Sequence, residues 1–293
     1  MTQCIICSGK QILIFSYKTF HYYRCQNCQQ VSTYPLPDNK MIKQHYSRRF
    51  RMGNYQLLRK YSYQYKNVYA YFVKLLKKRC EQQHTTLKDK KVLDIGCFTG
   101  EFLELMQQEG AEVYGLELQP EAVKIANKKL HNKVYQADVM SYNFPQKKYD
   151  IITLLGLVEH VTNPLQLLQR CYKLLSDDGI IMIQTPNSTS LLAHTMKQYW
   201  PPYSPIEHIH LFSRKSLEYA LHSSGFQDLT FQAHWKKLPV GYVYNMLSNF
   251  GQEFQSIFKP IDSIIKNSSV LLPFYIGEMI IIGTKKGKRL PKK

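Results

Sequence analysis

The segment Val92-Leu93-Asp94-Ile95-Gly96-Cys97-Phe98-Thr99-Gly100-Glu101-Phe102-Leu103 joins an apolar run, a loop bounded by two glycines and the start of a second apolar stretch. This pattern predicts a strand that enters a helix through a tight turn. Glycine lets the backbone turn sharply and approach a ligand, and open parallel sheets bind ligands at the carboxyl ends of their strands. We therefore expect a ligand site on residues 94–100.

Short apolar segments alternate with helical stretches from residue 90 onward, which favours strand-helix-strand units. Strands are predicted at residues 91–95, 112–118, 134–136, 150–155 and 180–184, with 229–231 and 279–282 as a closing antiparallel pair. Gly179 is expected to end the helix before the fifth of these strands. The predicted class is α/β, a Rossmann-like, doubly wound and mostly parallel sheet of seven strands.

Cys4, Cys7, Cys25 and Cys28 form two C-x2-C pairs, a spacing typical of a four-thiolate zinc site. Two residues between paired cysteines let a turn present both sulfurs to one ion, and two pairs complete a tetrahedron. Two disulfides are the alternative, which a reducing compartment disfavours. We predict a zinc ribbon over residues 1–35, with a hairpin at 11–23 and a structural ion, because four protein ligands leave no open position.

The remaining chain divides by composition into two parts. Residues 36–88 are basic and rich in tyrosine and predict a helical linker, and residues 89–293 predict the main domain. An amphipathic insert at about 240–270 is expected to pack on this core or to lie on a membrane surface. The N-terminus lacks the features of a secretory signal and no stretch is long enough to span a bilayer, so a cytoplasmic protein is predicted.

The charge of the chain is far from neutral. Its 293 residues include 39 Lys and Arg against 21 Asp and Glu, a formal charge of +18. Such an excess favours contact with anions, which could be a phosphorylated substrate, nucleic acid or an acidic membrane surface. Basic side chains on solvated helix faces explain the same excess equally well. The apolar content of 44% excludes a disordered chain.

Two further carboxylates support a nucleoside-bearing ligand. Glu117 ends the second predicted strand, where it is placed to accept ribose hydroxyls, and Asp138 follows the third. The loop spacing is G-x-x-x-G, and the dinucleotide fingerprint G-x-G-x-x-G is not present, which disfavours a dehydrogenase.

Over residues 90–226 these motifs resemble the class I S-adenosylmethionine-dependent methyltransferases. The resemblance implies that Asp94, Gly96 and Gly100 surround the methionine part of the cofactor, that Glu117 holds the ribose, and that Asp138 with Val139 contacts the adenine. It adds Cys97, Leu118 and Leu155 to the cofactor-binding set. Phe98 departs from the family, where glycine is common at this position, and leaves open a non-catalytic site.

The reacting end of the site is expected at two later segments. Methyl transfer from a sulfonium requires an aligned acceptor and, for a hydroxyl, removal of its proton. Residues 155–161 resemble the family segment after the fourth strand and place His160 near the sheet edge. Residues 207–226 resemble enzymes that carry a zinc ribbon and often modify sugars or glycan-pathway metabolites, although those usually continue into a further C-terminal domain. That resemblance implies that Glu207 and His208 form a carboxylate-imidazole pair for proton removal.

The predicted function is methyl transfer to a small-molecule or sugar-linked acceptor. A phosphorylated acceptor would suit the positive charge of the chain. One alternative is an RNA methyltransferase that binds nucleic acid through the ribbon and basic helices. Against it, no Asn/Asp-Pro-Pro-Tyr motif follows the fourth predicted strand. A non-catalytic, ribbon-based interaction protein is the other alternative. Neither the methylated atom nor the oligomeric state is encoded in a motif.

Overall fold

The computed structural model describes residues 3–49, 62–144, 146, 148–241, 243–244, 262–266 and 268–286. Its strands are β1 (Gln11–Tyr17), β2 (Phe20–Cys25), β3 (Val31–Tyr34), β4 (Lys91–Ile95), β5 (Glu112–Glu117), β6 (Val134–Gln136), β7 (Tyr149–Leu155), β8 (Leu175–Pro186), β9 (His210–Leu211), β10 (Gln227–Pro239) and β11 (Leu271–Thr284). Its helices are α1 (Asn39–Arg49), α2 (Ser62–Gln82), α3 (Glu101–Gln108), α4 (Pro120–Leu130), α5 (Pro164–Leu174), α6 (Leu191–Met196), α7 (Arg214–Ser223) and α8 (Asp262–Lys266). Short 3-10 turns span Val158–His160 and Lys197–Tyr199.

The main sheet has seven strands in the order β10-β11-β8-β7-β4-β5-β6. β4 pairs in parallel with β5 and β7, β7 pairs in parallel with β8, and β11 lies antiparallel between β8 and β10. This arrangement confirms the predicted Rossmann-like class. The registers align the carboxyl ends of β4, β5 and β7, because Asp94 lies opposite both Gly115 and Thr153.

The sheet is covered on both faces, as expected of parallel strands that are apolar throughout. Neighbouring residues of β4 belong to different core clusters. Val92 is in the cluster that contains Phe72 of α2 and Phe102 of α3. Leu93 is in the cluster that contains Leu167 of α5. Since side chains alternate along a strand, these clusters are the two faces of the sheet.

One predicted boundary is wrong. The helix before β8 ends at Leu174, and Gly179, which we expected to end it, lies inside the strand. Leu175 is fully buried and pairs with Tyr149, so tertiary pairing extends the strand past the local turn pattern. The closing antiparallel pair is confirmed and is longer than predicted, with Phe231 opposite Ile281.

The N-terminal hairpin is confirmed as β1 and β2, and its sheet continues into the main body of the protein. The second sheet has the order β1-β2-β3-β9, and β9 belongs to the loop after β8. Val31 lies opposite Leu211. Ser213, which caps α7 by accepting a hydrogen bond from the Ser216 N–H, also donates its own hydroxyl proton to the Cys28 carbonyl at 2.7 Å.

Parts of two predictions lie outside the described residues. The basic linker contains α1 and α2, with residues 50–61 not described, and most of the amphipathic insert is likewise not described.

Across the part of the chain that is described, no helix has the length and apolar character needed to cross a bilayer.

Candidate active site

The loop after β4 has the sharp geometry that its glycines predict. Gly96 and Gly100 have φ angles of 78° and 81°, in the left-handed region that favours glycine. A Cβ on Gly100 would lie 2.8 Å from Leu130 Cδ1, so this glycine also lets α3 and α4 approach each other. The N–H groups of Gly96 and Cys97 donate to the Leu116 carbonyl at 2.7 and 3.2 Å, which holds the loop against β5.

Beside this loop lie the buried carboxyl group of Asp94 and the partly buried carboxyl group of Glu117. Asp94 accepts a hydrogen bond from Thr153 Oγ1 at 2.6 Å, and burial raises its pKa to about 7. Glu117 accepts the N–H groups of Leu118 and Gln119 on Oε1 and that of Phe98 on Oε2 at 3.0 Å. Burial raises the pKa of Glu117 too. The bond from Phe98 also anchors a residue that has a φ of 47°, which is uncommon without glycine.

These groups fit S-adenosylmethionine. Within the described residues, no Lys, Arg or His nitrogen comes within 4.0 Å of the carboxylates of Asp94 and Glu117. A buried and a partly buried acid without a cation are costly, and a cofactor that bears sulfonium and ammonium charges would relieve that cost. Glu117 Oε2 accepts one hydrogen bond and so retains a lone pair for a ribose hydroxyl.

The other predicted cofactor residues lie at the same edge of the sheet. Leu155 ends β7 and is partly buried, and Leu118 follows β5 and is exposed. Asp138 follows β6, is exposed, and accepts the Met140 N–H at 2.8 Å, while Val139 is buried. The fold therefore brings the whole predicted set to neighbouring strand ends.

A second polar cluster lies where β7 ends. Glu159 is buried and accepts a hydrogen bond from Thr185 Oγ1 at 2.9 Å. His160 Nε2 lies 3.8 Å from Glu159 Oε1, and the ring centroids of His160 and His208 are 4.9 Å apart. One ligand atom from each of these three residues lies within 4.8 Å of the others, a spacing that a metal ion could also bridge.

Hydrogen bonds orient both imidazole rings. Nδ1 of His160 contacts the Glu207 carbonyl, and Nδ1 of His208 contacts the Pro202 carbonyl at 2.7 Å. Because a carbonyl only accepts, Nδ1 carries the proton in each ring, and Nε2 of a neutral ring is the proton acceptor. Burial, followed by the neighbouring His160, lowers the pKa of His208. The lowered pKa of His208 favours the neutral ring, whose Nε2 accepts a proton.

The four N-terminal cysteines converge as a metal site requires. Sγ of Cys4 lies 3.6 Å from that of Cys28, Sγ of Cys7 lies 3.5 Å from that of Cys25, and all four sulfurs lie within 4.8 Å. A tetrahedron with zinc-sulfur bonds of about 2.3 Å has sulfur-sulfur edges of about 3.8 Å. The residues therefore fit a zinc ion.

Comparison with known proteins identifies the family. Residues 61–230, more than half of the chain, match the model of a methyltransferase domain. The chain belongs to this family. Two curated relatives are ubiquinone biosynthesis O-methyltransferases: that of Histophilus somni (strain 2336) is 36% identical over 122 residues, which are 37% of this chain and 50% of the relative. That of Actinobacillus pleuropneumoniae serotype 5b is 34% identical over 119 residues, 37% and 51% of the two chains. The methyltransferase thus spans about half the length of the curated relatives it matches.

Solved structures share the fold of this methyltransferase. A SAM-dependent methyltransferase of Thermotoga maritima, described as a possible histamine N-methyltransferase, aligns with a TM-score of 0.50 and 17% identity, covering 79% of this chain and 97% of that one. The YcgJ protein of Bacillus subtilis aligns with a TM-score of 0.50 and 16% identity, covering 73% and 97%. At this identity the likeness concerns the fold alone.

The polar cluster at the end of β7 differs in composition from the predicted catalytic set of His160, Glu207 and His208. His160 and His208 come together as the sequence suggests, and the buried carboxylate beside them is Glu159, which the sequence-based predictions omit. Glu207 contributes its backbone carbonyl to His160, and its carboxylate lies 3.8 Å from His45 Nε2. Glu159 directly precedes His160, but only the contact with Thr185 shows that it is buried at the site.

Proposed function

We propose that this methyltransferase uses S-adenosylmethionine to methylate a hydroxyl group of a small organic acceptor. The observation that carries the proposal is the cluster of Glu159, His160 and His208, which lies at the same strand ends as the cofactor loop. A hydroxyl becomes a good nucleophile when a positioned base removes its proton. His208 is such a base, because its Nδ1 is bound to a carbonyl and its Nε2 can accept.

In this proposal, one group of residues holds the cofactor and another acts on the acceptor hydroxyl. Glu117 Oε2 would accept a hydrogen bond from the ribose, Asp94 would lie near the cationic part of the cofactor, and Asp138 with Val139 would contact the adenine. When bound, the cofactor supplies an electrophilic methyl group on a sulfonium. His208 Nε2 would receive the proton of the acceptor hydroxyl. Burial raises the pKa of Glu159 to about 7, and its ionised carboxylate would compensate the positive charge on the ring.

Two acceptor classes share the chemistry that this site requires. The curated relatives carry the name of ubiquinone biosynthesis, and the resemblance at residues 207–226 suggests a sugar or glycan-pathway metabolite. Transfer of tritiated methyl groups to phenolic acceptors and to nucleotide sugars would separate these classes. Total RNA serves as a third acceptor, since the charge of +18 would also suit a nucleic acid.

We also propose that Cys4, Cys7, Cys25 and Cys28 hold a structural zinc ion. Support comes from the near-tetrahedral sulfur spacing and from two N–H groups, those of Ile6 and Cys28, which lie 3.4 and 3.5 Å from Sγ of Cys4 and Cys25. Such N–H contacts stabilise thiolates. The ion would hold the turn that precedes β3.

We predict that His208→Gln lowers kcat at least about 100-fold, because a positioned general base is worth roughly that much. Affinity for S-adenosylhomocysteine should stay within twofold, since the cofactor loop is held by β5. The matched control is His222→Gln, an exposed histidine whose Nδ1 also contacts a carbonyl, that of Phe226. Steady-state rates and calorimetry measure both quantities, and unchanged kcat in His208→Gln would reduce His208 to a loop anchor.

The same assay distinguishes the roles of the carboxylates of Glu159 and Glu207. If Glu159 supports His208, Glu159→Gln should lower kcat more than Glu207→Gln does, whereas the reverse order would favour the pairing implied by the sequence. Assays in EDTA and with added Mg²⁺ or Zn²⁺ would show whether the cluster works with a bridging ion.

A further inference from the structure

The polar cluster at the end of β7 is assembled from two segments of the chain. Glu159 and His160 lie on the turn of residues 159–162, and His208 lies on the segment of residues 207–210. The two segments are distant in the sequence, so hydrogen bonds between them decide whether the three side chains meet. Contacts between these segments are therefore part of the construction of the site.

Two main-chain carbonyl groups of the turn are held from the other segment. The Ile209 N–H donates to the Glu159 carbonyl at 2.9 Å. Nε2 of His210 lies 3.3 Å from the Thr162 carbonyl. Because these carbonyls lie before and after His160 in the chain, the two contacts together fix the turn that presents the His160 ring.

The ring of His210 is fixed in one tautomer. A carbonyl only accepts hydrogen bonds, so Nε2 carries a proton and donates to the Thr162 carbonyl. Burial lowers the pKa of His210 to about 4, so the ring is neutral near pH 7 and its Nδ1 is an acceptor. Oγ of Ser32 lies 2.9 Å from this Nδ1 and donates a hydrogen bond to it. Both ring nitrogens thus have protein partners, and His210 is not available as a general base.

The side-chain partner of His210 belongs to the N-terminal segment of residues 3–34, the cysteine module. Ser32 lies on β3 directly opposite His210, and both residues are fully buried. The next residue, Thr33, donates its N–H to the Ile209 carbonyl at 3.0 Å. β3 therefore supports both residues that hold the turn.

We propose that His210 is a positioning residue for methyl transfer. Its Nε2 holds the turn that bears Glu159 and His160 against the segment that bears His208. Ser32 orients the ring for this contact. The inference rests on the proposed function, in which this cluster removes the proton of the acceptor hydroxyl. A displacement of about 1 Å can lower a rate about 100-fold, so loss of the contact should slow the reaction without a direct effect on the cofactor.

Two substitutions of His210 separate its two hydrogen bonds. The amide nitrogen of Gln can take the place of Nε2 and donate to Thr162, but Gln has no acceptor at the position of Nδ1. The amide oxygen of Asn can take the place of Nδ1 and accept from Ser32, but the shorter side chain does not reach Thr162. His210→Gln should therefore keep the turn in place, and His210→Asn should release it.

The ring nitrogen resonances of His160 report the position of the turn without any acceptor. They are measured by NMR at about pH 8, above the ordinary pKa of histidine, on the full chain labelled with ¹⁵N-histidine and saturated with S-adenosylhomocysteine. In the wild type and in His210→Gln we expect one tautomer, with the proton on Nδ1 toward the Glu207 carbonyl. In His210→Asn the signals should move toward the average of the two tautomers. The control His222→Asn changes an exposed histidine of α7 and should leave them unchanged.

Steady-state rates with the best acceptor of the tritium assay give the second readout. We expect kcat to fall about tenfold or more in His210→Asn and to stay within about threefold of the wild type in His210→Gln. Affinity for S-adenosylhomocysteine should stay within about twofold in both variants, because β5 holds the cofactor loop. A purely structural role of His210 would lower the melting temperature of both variants and leave the His160 signals of the folded protein unchanged.

The inference is overturned if His210→Asn leaves the His160 resonances as in the wild type, or if His210→Gln moves them equally. If His210→Asn does not fold, Ser32→Ala takes its place: a second tautomer of His160 is then expected, and an unchanged spectrum contradicts the proposal. The proposed function fails separately. Moved resonances together with a wild-type kcat in His210→Asn would keep the positioning of the turn and refute a role of the cluster in proton removal.

Discussion

Asp94→Asn is expected to weaken S-adenosylmethionine binding about 10- to 100-fold at pH 8, the value of one charge-assisted contact. Burial raises the pKa of Asp94 from its ordinary 3.8 to about 7, so the free protein carries this group protonated below pH 7. A cationic cofactor favours the ionised form, and binding therefore releases a proton. Affinity in the wild type should rise between pH 6 and pH 8, and the asparagine variant should lose this dependence.

The direction of this pH dependence follows from the raised pKa of Asp94. A raised pKa means that the stabilising contribution of Asp94 to folding is complete below its ordinary pKa and is lost as the pH rises through 7. The free protein therefore resists ionisation of Asp94, and the cofactor reverses that preference. Calorimetry in buffers of different ionisation enthalpy measures the released proton.

Asp138→Asn is the matched control for Asp94→Asn. Asp138 is exposed and follows β6, so its loss should weaken binding modestly and leave the pH dependence unchanged. If Asp94→Asn kept the wild-type affinity and pH profile, Asp94 would have no contact with the charged part of the cofactor. The assignment of the loop at residues 94–100 would then fail.

Cys28→Ser is expected to abolish stoichiometric zinc binding and to lower the free energy of unfolding by more than about 3 kcal/mol, because a structural zinc ion contributes roughly 10–16 kcal/mol to small modules. Turnover should fall with it. β3 follows Cys28 closely and pairs with β9, which begins two residues after His208. Affinity for S-adenosylhomocysteine should change little in the folded fraction, since β5 holds the cofactor loop.

Metal analysis, urea unfolding and rate measurements check this prediction, with Cys80→Ala as the control. Cys80 is equally buried but packs in the core cluster of α2 and α3, so its substitution should leave the zinc content unchanged. If Cys28→Ser does not fold, a strong chelator applied to the wild type replaces it. Amide exchange at Thr33, whose N–H donates to the Ile209 carbonyl, should then accelerate. Unchanged zinc affinity in Cys28→Ser would show that Cys28 is not a ligand.

Much of the fold and the cofactor loop follows from local patterns in the chain. The apolar run that ends at Ile95 and the glycines at 96 and 100 are determined by strand periodicity and by positive φ angles, which act within a few residues. The acids at 94, 117 and 138 share one edge because parallel strands align their carboxyl ends. One sequence is therefore enough to predict this strand, the glycine loop and the edge at which the acids lie.

Tertiary structure alone decided the boundary at Gly179 and the composition of the polar cluster at the end of β7. Leu175 extends β8 because it pairs with Tyr149, and Thr185 of β8 reaches Glu159 in the turn after β7 because β7 and β8 are neighbours in the sheet. Ser32 of the cysteine module contacts His210 across 178 residues of chain. Periodicity reports which face of an element is apolar, but it carries no information on which distant element covers that face, so the polar contacts between strands and loops had to come from the folded chain.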